Sequence, residues 1–246
     1  MLKPVRRLVV FGQMCVVAIV VPSAEADDLP GETTGLRATQ VTIAIERDGS
    51  RRQFRATVMG RQDDDITILT AAHCLSEADR DGPALLLLDG ETLGGTVQAV
   101  VRNPSYRTNN GREIPGPDNA VARLRFRPGI GPAAEAFRAI RPVSALSARP
   151  YPGPGGQTVA VRMIDGHGVE HAVRAGNYSN PRWLEWGPAY KPIPGDSGGG
   201  VFVLHAGPEG QPRPILIGII VGRDDRGGGA SLVSRDQRWL AEALPR

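Results

Sequence analysis

Short apolar-rich runs, some alternating with polar positions and some continuous, recur from residue 39 to residue 234. Runs of this length and make-up read as strands. The first group is TQVTIAIE (39–46), RQFRATVM (52–59), DITILT (65–70), ALLLLD (84–89), GTVQAVVR (95–102) and NAVARLRF (119–126). Asp48-Gly49-Ser50 supplies the turn between the first two, and Ala120, Ala122 and Leu124 alternate in the last. A second group follows: QTVAVRMI (157–164), VEHAVRAG (169–176), RWLEWG (182–187), GVFVLH (200–205), PILIGIIVG (214–222) and ASLVS (230–234). The stretch 129–156 lies between them, and its second half is dense in proline and glycine, which marks a connector. At the end Trp239, Leu240, Ala243 and Leu244 repeat at helical spacing, with Ser234 the expected N-cap. Two sets of short strands, a connector and one closing helix predict a pair of antiparallel barrels or sandwiches.

The amino-terminal residues stand outside that pattern. Lys3, Arg6 and Arg7 precede an apolar run, Leu8 to Val21, and Ala24-Glu25-Ala26 is a small-x-small site. This is the layout of a secretory signal, expected to be cleaved before Asp27. A run interrupted by Gly12 and Gln13 is too short for a comfortable membrane span. Residues 27–37 are polar and read as a short tail.

Composition changes the picture in two places. Loss of residues 1–26 removes Lys3, Arg6, Arg7 and Glu25, leaving 26 basic and 25 acidic residues, a net charge of +1. The full-chain pI of 9.2 therefore overstates the basicity, and no Lys/Arg-rich run points to nucleic acid. Cys15 leaves with the leader, so Cys74 is the one remaining thiol and no internal disulfide is expected. No cofactor and no metal are expected either.

Two stretches carry candidate chemistry. In PGDSGGG (194–200) a serine follows a glycine. Acyl transfer needs a nucleophile together with donors aimed at the oxyanion that forms. Gly195 permits a tight bend in front of Ser197, after which the N–H groups of Gly195 and Ser197 face one point. In LTAAHCL (69–75), His73 sits beside two small alanines that leave room for a carboxylate partner.

TAAHC and GDSGG together resemble the two signature segments of the trypsin/chymotrypsin-like serine peptidases, including bacterial secreted members. PDNAVARL (117–124) resembles the segment that carries the family's aspartate, Asp118. The order His, Asp, Ser is the family's own. The resemblance implies an all-β chain of two antiparallel six-stranded β-barrels with a C-terminal α-helix. It divides the chain into a signal peptide (1–26), a tail (27–37), an N-terminal barrel (38–140), a linker (141–156), a C-terminal barrel (157–234) and a helix (235–246). It implies a secreted or periplasmic serine endopeptidase, expected to be monomeric and to act on polypeptide, with His73, Asp118 and Ser197 as triad. Gly195 and Ser197 would form the oxyanion hole. By the same resemblance Lys191, six residues before the serine, lies at the base of the side-chain pocket, and Val221, Gly222 and Arg223 lie along the substrate backbone. A cation at the pocket base favours acidic or polar side chains. A second placement leaves Lys191 facing solvent.

Three departures from the family are visible. Cys74 lacks the cysteine that partners it in many members, so it is expected to pack as a small hydrophobe. The expected mature start, DDLPGETT, is unlike the buried apolar terminus that animal members pair with the aspartate before the nucleophile. Either Asp196 has another partner, with constitutive activity, or processing occurs later, after Arg37. Val221-Gly222-Arg223 stands where the family often has Ser-Trp-Gly.

Two rival readings remain. HGVEH (167–171) fits a zinc-peptidase pattern, which needs a helix to bring both histidines to one metal. Asp165-Gly166 and Gly168 predict a hairpin instead. The other rival is a catalytically silent relative acting as a binding protein.

Overall fold

The computed structural model describes residues 34–244 apart from 89, 107, 110–111, 114–116, 148–156, 178–181, 207–210 and 225–226. The expected leader, most of the tail and the proline-rich half of the connector lie outside the described residues.

The strands are β1 (Gln40–Arg47), β2 (Ser50–Gln62), β3 (Asp65–Thr70), β4 (Pro83–Leu88), β5 (Glu91–Arg102), a small pair β6 (Thr108–Asn109) and β7 (Arg112–Glu113), and β8 (Ala120–Phe126). After the connector come β9 (Val159–Ile164), β10 (Glu170–Gly176), β11 (Trp183–Trp186), β12 (Gly200–Ala206), β13 (Pro212–Asp224) and β14 (Gly227–Leu232). Two closed barrels result, in the order β1-β2-β3-β8-β5-β4 and β10-β11-β14-β13-β12-β9, with every neighbouring pair antiparallel. Closure pairs every barrel strand with a neighbour on both sides over part of its length, which limits the sheet edge open to another chain.

Local chemistry explains the turns. Asp48 and Gly49 both have positive φ, 52° and 73°, between the paired Arg47 and Ser50. That is the two-residue hairpin loop whose twist matches its strands, and Asp-Gly is its preferred sequence. Alternation along β1 and β8 buries Val41, Ile43, Ile45, Ala120, Ala122, Leu124 and Phe126. The second barrel has its own core around Val161, Met163, Leu184, Trp186, Val201 and Ile217.

Among the described residues, helix α1 (Thr34–Arg37) precedes the first strand, α2 (Pro132–Ala139) lies between the barrels and α3 (Gln237–Ala243) follows the last strand. Helix α2 falls inside the stretch read from sequence as connector. Pro132 starts it, where its fixed φ suits a first turn. Phe137 packs edge-on against Phe126 of β8 at 6.0 Å between ring centroids. Arg61 of β2 donates to the carbonyls of Phe137 and Arg138 at the helix end, 3.2 and 2.7 Å. For α3 the cap position is Asp236 rather than Ser234, which lies in a preceding 3-10 turn, Val233–Arg235. Asp236 makes no side-chain cap bond. Its carboxylate is instead taken by Asn119 (2.9 Å) and Arg182 (3.4 Å), which ties the first barrel to the end of the second.

The barrels are joined by the connector and by direct bonds. Arg141 N donates to Ala38 O and Val143 N to Val58 O, both at 2.8 Å, before Ala145 and Ser147 pair with Leu216. Across the interface Arg55 N donates to Ser197 O (2.9 Å), and Gly200 N donates to Gln40 Oε1 (2.8 Å). Ser197 itself and Gly200, three residues on, are thus held by strands of the opposite barrel.

Candidate active site

His73 belongs to the turn that follows β3, closed by Cys74 N donating to Ala71 O at 3.0 Å. Ala71 and Ala72 are fully buried. Arg102 of β5 clasps Ala72 O from outside with Nε and Nη2, at 2.9 and 2.6 Å, and stacks over Tyr106. Nothing in the sequence marked Arg102, because its partner is a backbone carbonyl 30 residues away.

Asp118 precedes β8 and is 2% exposed. Its carboxylate takes His73 twice: Nδ1 at 2.6 Å through Oδ2, and the backbone amide at 3.0 Å through Oδ1. The Asp118 amide donates to the hydroxyl of Ser231 on β14 at 3.1 Å, so the second barrel steadies the pair. Burial disfavours the charged imidazole, but the Asp118 carboxylate and the Cys74 sulfur outweigh it, so the His73 pKa stands above its ordinary value.

Ser197 lies on two consecutive turns. Ile193-Pro194-Gly195-Asp196 closes through Asp196 N to Ile193 O (3.0 Å), with Gly195 at φ 103°. Asp196-Ser197-Gly198-Gly199 closes through Gly199 N to Asp196 O (3.0 Å), with Gly198 at φ 91°. Both carry glycine where a type II turn needs positive φ, and the first has proline in the preferred second place. A side chain on Gly195 would meet open space, so the approach to its amide is unobstructed. Gly198 differs, because a Cβ there would run into Arg55 O and Thr70 Oγ1. That close approach lets Ser197 O reach both Arg55 N and Cys74 Sγ, the latter at 3.9 Å. Ser197 therefore stands beside the residue that follows His73.

Cys74 is a free thiol, 6% exposed. Its sulfur shares the Ser197 carbonyl with the amide of Arg55 on β2.

Asp196 is completely buried and accepts from Tyr190 Oη (2.8 Å), Ile193 N (2.8 Å) and Gly166 N (2.6 Å). Tyr190 belongs to no motif, and Gly166 reads only as part of a hairpin turn, so the sequence marks neither as a partner of Asp196.

The remaining candidates are scattered around this loop. Lys191 is exposed, between buried Tyr190 and Pro192. Val221 is buried and sits at a register shift between β13 and β14, while Gly222 pairs with Gly229 and Arg223 with Gly228. Pairing of β13 with β12 stops at Ile219 opposite Gly200. Gly222 and Arg223 thus pair with β14 on one side, and Ile220 just before them bonds the serine loop through Gly198 N and Gly199 O.

HGVEH is not a metal site in this fold. The turn Asp165–Gly168 and strand β10 replace the helix that the motif needs. His171 Nε2 pairs with Asp165 Oδ2 (2.8 Å) and Glu170 with Arg162 (3.0 Å). No group of metal-ligating residues is present among the described residues. No helix there is long and apolar enough to cross a membrane.

Two closed six-stranded antiparallel barrels followed by a C-terminal helix constitute the chymotrypsin-like fold. Among solved structures the chain is similar to "Structure of GrC", granzyme C, a chymotrypsin-like serine protease. The TM-score is 0.56 and the identity 15%, with 84% of this chain and 93% of that one covered. That likeness concerns the fold. No family model matches the chain, and no curated protein sequence does.

Proposed function

We propose that the protein is an exported serine endopeptidase that cleaves peptide bonds through an acyl-enzyme. The observation that carries this reading is the doubly bonded His73–Asp118 pair on a turn whose next residue touches the Ser197 carbonyl. Ser197 Oγ attacks the scissile carbonyl while His73 Nε2 takes its proton. Asp118 keeps the other ring nitrogen as a donor and stabilises the imidazolium. The oxyanion is met by the amides of Gly195 and Ser197. Collapse of the tetrahedral intermediate breaks the C–N bond, and His73 passes its proton to the departing amine. Water, deprotonated by His73, then releases the acyl group and restores Ser197. The substrate backbone extends β13 along Val221, Gly222 and Arg223, and Lys191 meets the side chain before the cleaved bond.

The test is labelling by a fluorophosphonate, with mass mapping of the modified residue. A single adduct on Ser197, lost in His73→Ala, and casein hydrolysis lost in Ser197→Ala are expected. Unchanged casein hydrolysis by Ser197→Ala would refute the mechanism. A protein that binds polypeptide without cleaving it, and takes no label, would be the silent relative.

A further inference from the structure

The serine loop hangs on Asp196, whose carboxylate accepts from three uncharged donors of the second barrel. Oδ2 takes the Tyr190 hydroxyl and the Ile193 amide, and Oδ1 takes the Gly166 amide. Asp196 also closes the Ile193–Asp196 turn through its own amide. Asp196 thus anchors the turn that carries Gly195 through both its amide and its carboxylate, and the Gly195 N–H has to point at an oxyanion.

Tyr190 is itself held on three sides. Trp186 Nε1 donates to its carbonyl at 2.9 Å. The His171 ring stacks on its ring, with 4.2 Å between centroids and 20° between planes. Burial first, and Asp196 next, push the phenol pKa up, so the hydroxyl stays a proton donor. His171 then continues the chain of contacts to Asp165 Oδ2. Asp165 Oδ1 gathers the amides of His167 and Val169, at 2.9 and 2.8 Å, and so shapes the hairpin that presents Gly166 N to Asp196. From outside, Arg37 grips that hairpin with Nε and Nη2 on Gly168 O, at 2.9 and 2.6 Å. The contacts form a closed ring: Asp196, Tyr190, His171, Asp165, Gly166 and back to Asp196. The buried guanidinium of Arg55 lies within electrostatic reach of Asp196 and Asp165 and supplies positive charge to the same pocket.

We propose that Tyr190 is the positioning residue of the serine loop, fixing Asp196 so that the Gly195 and Ser197 amides are aimed without any contribution from a free amino terminus. The proposal rests on the serine peptidase reading and adds how its oxyanion site is set. It also gives a role to HGVEH, whose last histidine is the ring's link rather than a metal ligand.

The experiment compares wild type, Tyr190→Phe and His171→Gln, together with a wild-type chain starting at Asp27 and the same chain carrying a short amino-terminal extension. Ser197 labelling rate, kcat and KM are measured well below each protein's Tm, with near-UV circular dichroism to confirm folding. Tyr190→Phe is expected to lower labelling rate and kcat by about 10-fold or more, short of the 10²–10³-fold that loss of an oxyanion donor itself costs. KM should change less than kcat, because the substrate edge on β13 is untouched. His171→Gln should fall between the two. The extended chain should match the unextended one within about twofold, since the terminus has no part in the positioning. Activity that appears only once the extension is removed would overturn the proposal. So would a folded Tyr190→Phe protein that labels at the wild-type rate. If Tyr190→Phe does not fold, the extension and His171→Gln arms decide. Failure of wild type to label at Ser197 strikes instead at the underlying serine peptidase reading, and the proposal falls with it.

Discussion

The carbonyl oxygen of Arg55 and the backbone of Gly198 approach so closely that no side chain fits between them. One residue belongs to β2 of the first barrel and the other to the serine loop of the second, so the barrels meet at that contact.

Gly198→Ala is expected to lose at least about 2 kcal/mol, because a Cβ would collide with backbone and the φ of 91° is strained for any L side chain. Gly195→Ala provides the contrast. Its Cβ meets open space, so only the strain of φ 103° remains, about 1–2 kcal/mol. Activity should fall further than stability in Gly195→Ala, because the Gly195 amide would have to turn. Denaturant unfolding paired with Ser197 labelling measures both, and equal stability of the two variants would contradict the packing account.

Asp118→Asn keeps the shape of the pair but lets the imidazole adopt the other tautomer. A fall of about 10⁴-fold in kcat is expected with the fold retained. A loss below about tenfold would show that Asp118 does not orient His73.

The raised pKa of His73 has two consequences with definite sign. A general base must be neutral, so kcat/KM should fall with decreasing pH through a midpoint above the ordinary 6.5. The folded state also binds this proton more tightly than the unfolded chain. That stabilisation is complete below about 6.5 and is lost as pH rises through the folded value. The Tm gap between wild type and Asp118→Asn should therefore narrow as pH is raised from about 6.5. A gap that widens with pH would reverse the assignment.

Cys74→Ala should remain active and cost about 1 kcal/mol, the price of one small buried group. Abolished labelling with an intact fold would show that the thiol does more than pack.

Lys191 offers a cation beside the serine loop, so cleavage after acidic or polar side chains should exceed cleavage after Lys or Arg. Proteome-derived peptide libraries read this directly, and enrichment of Arg or Lys before the cleaved bond would rule it out.

Much of this protein was legible along the chain. Strand periodicity located all twelve barrel strands to within a few residues, because alternation is a local property of a half-buried strand. Asp-Gly marked its hairpin for the same reason. Helix α2 was hidden, since its apolar spacing is short and it adjoins a proline-rich stretch. The cap of α3 is Asp236 rather than the expected Ser234, because a 3-10 turn, Val233–Arg235, takes up the serine before the helix starts.

The sequence by itself determined which residue types were available: a histidine after two alanines, a serine in a glycine-rich loop, and an aspartate leading a strand. Spacing of 45 residues between His73 and Asp118 says nothing about distance, and only the pairing of β3 with β8, Thr70 opposite Ala120, brought them to 2.6 Å. The partners of Asp196 were equally invisible, because a tyrosine hydroxyl and a glycine amide carry no motif and become donors to it only when two loops pack together. Local periodicity is written in neighbouring residues, whereas convergence of distant groups depends on how the whole sheet closes.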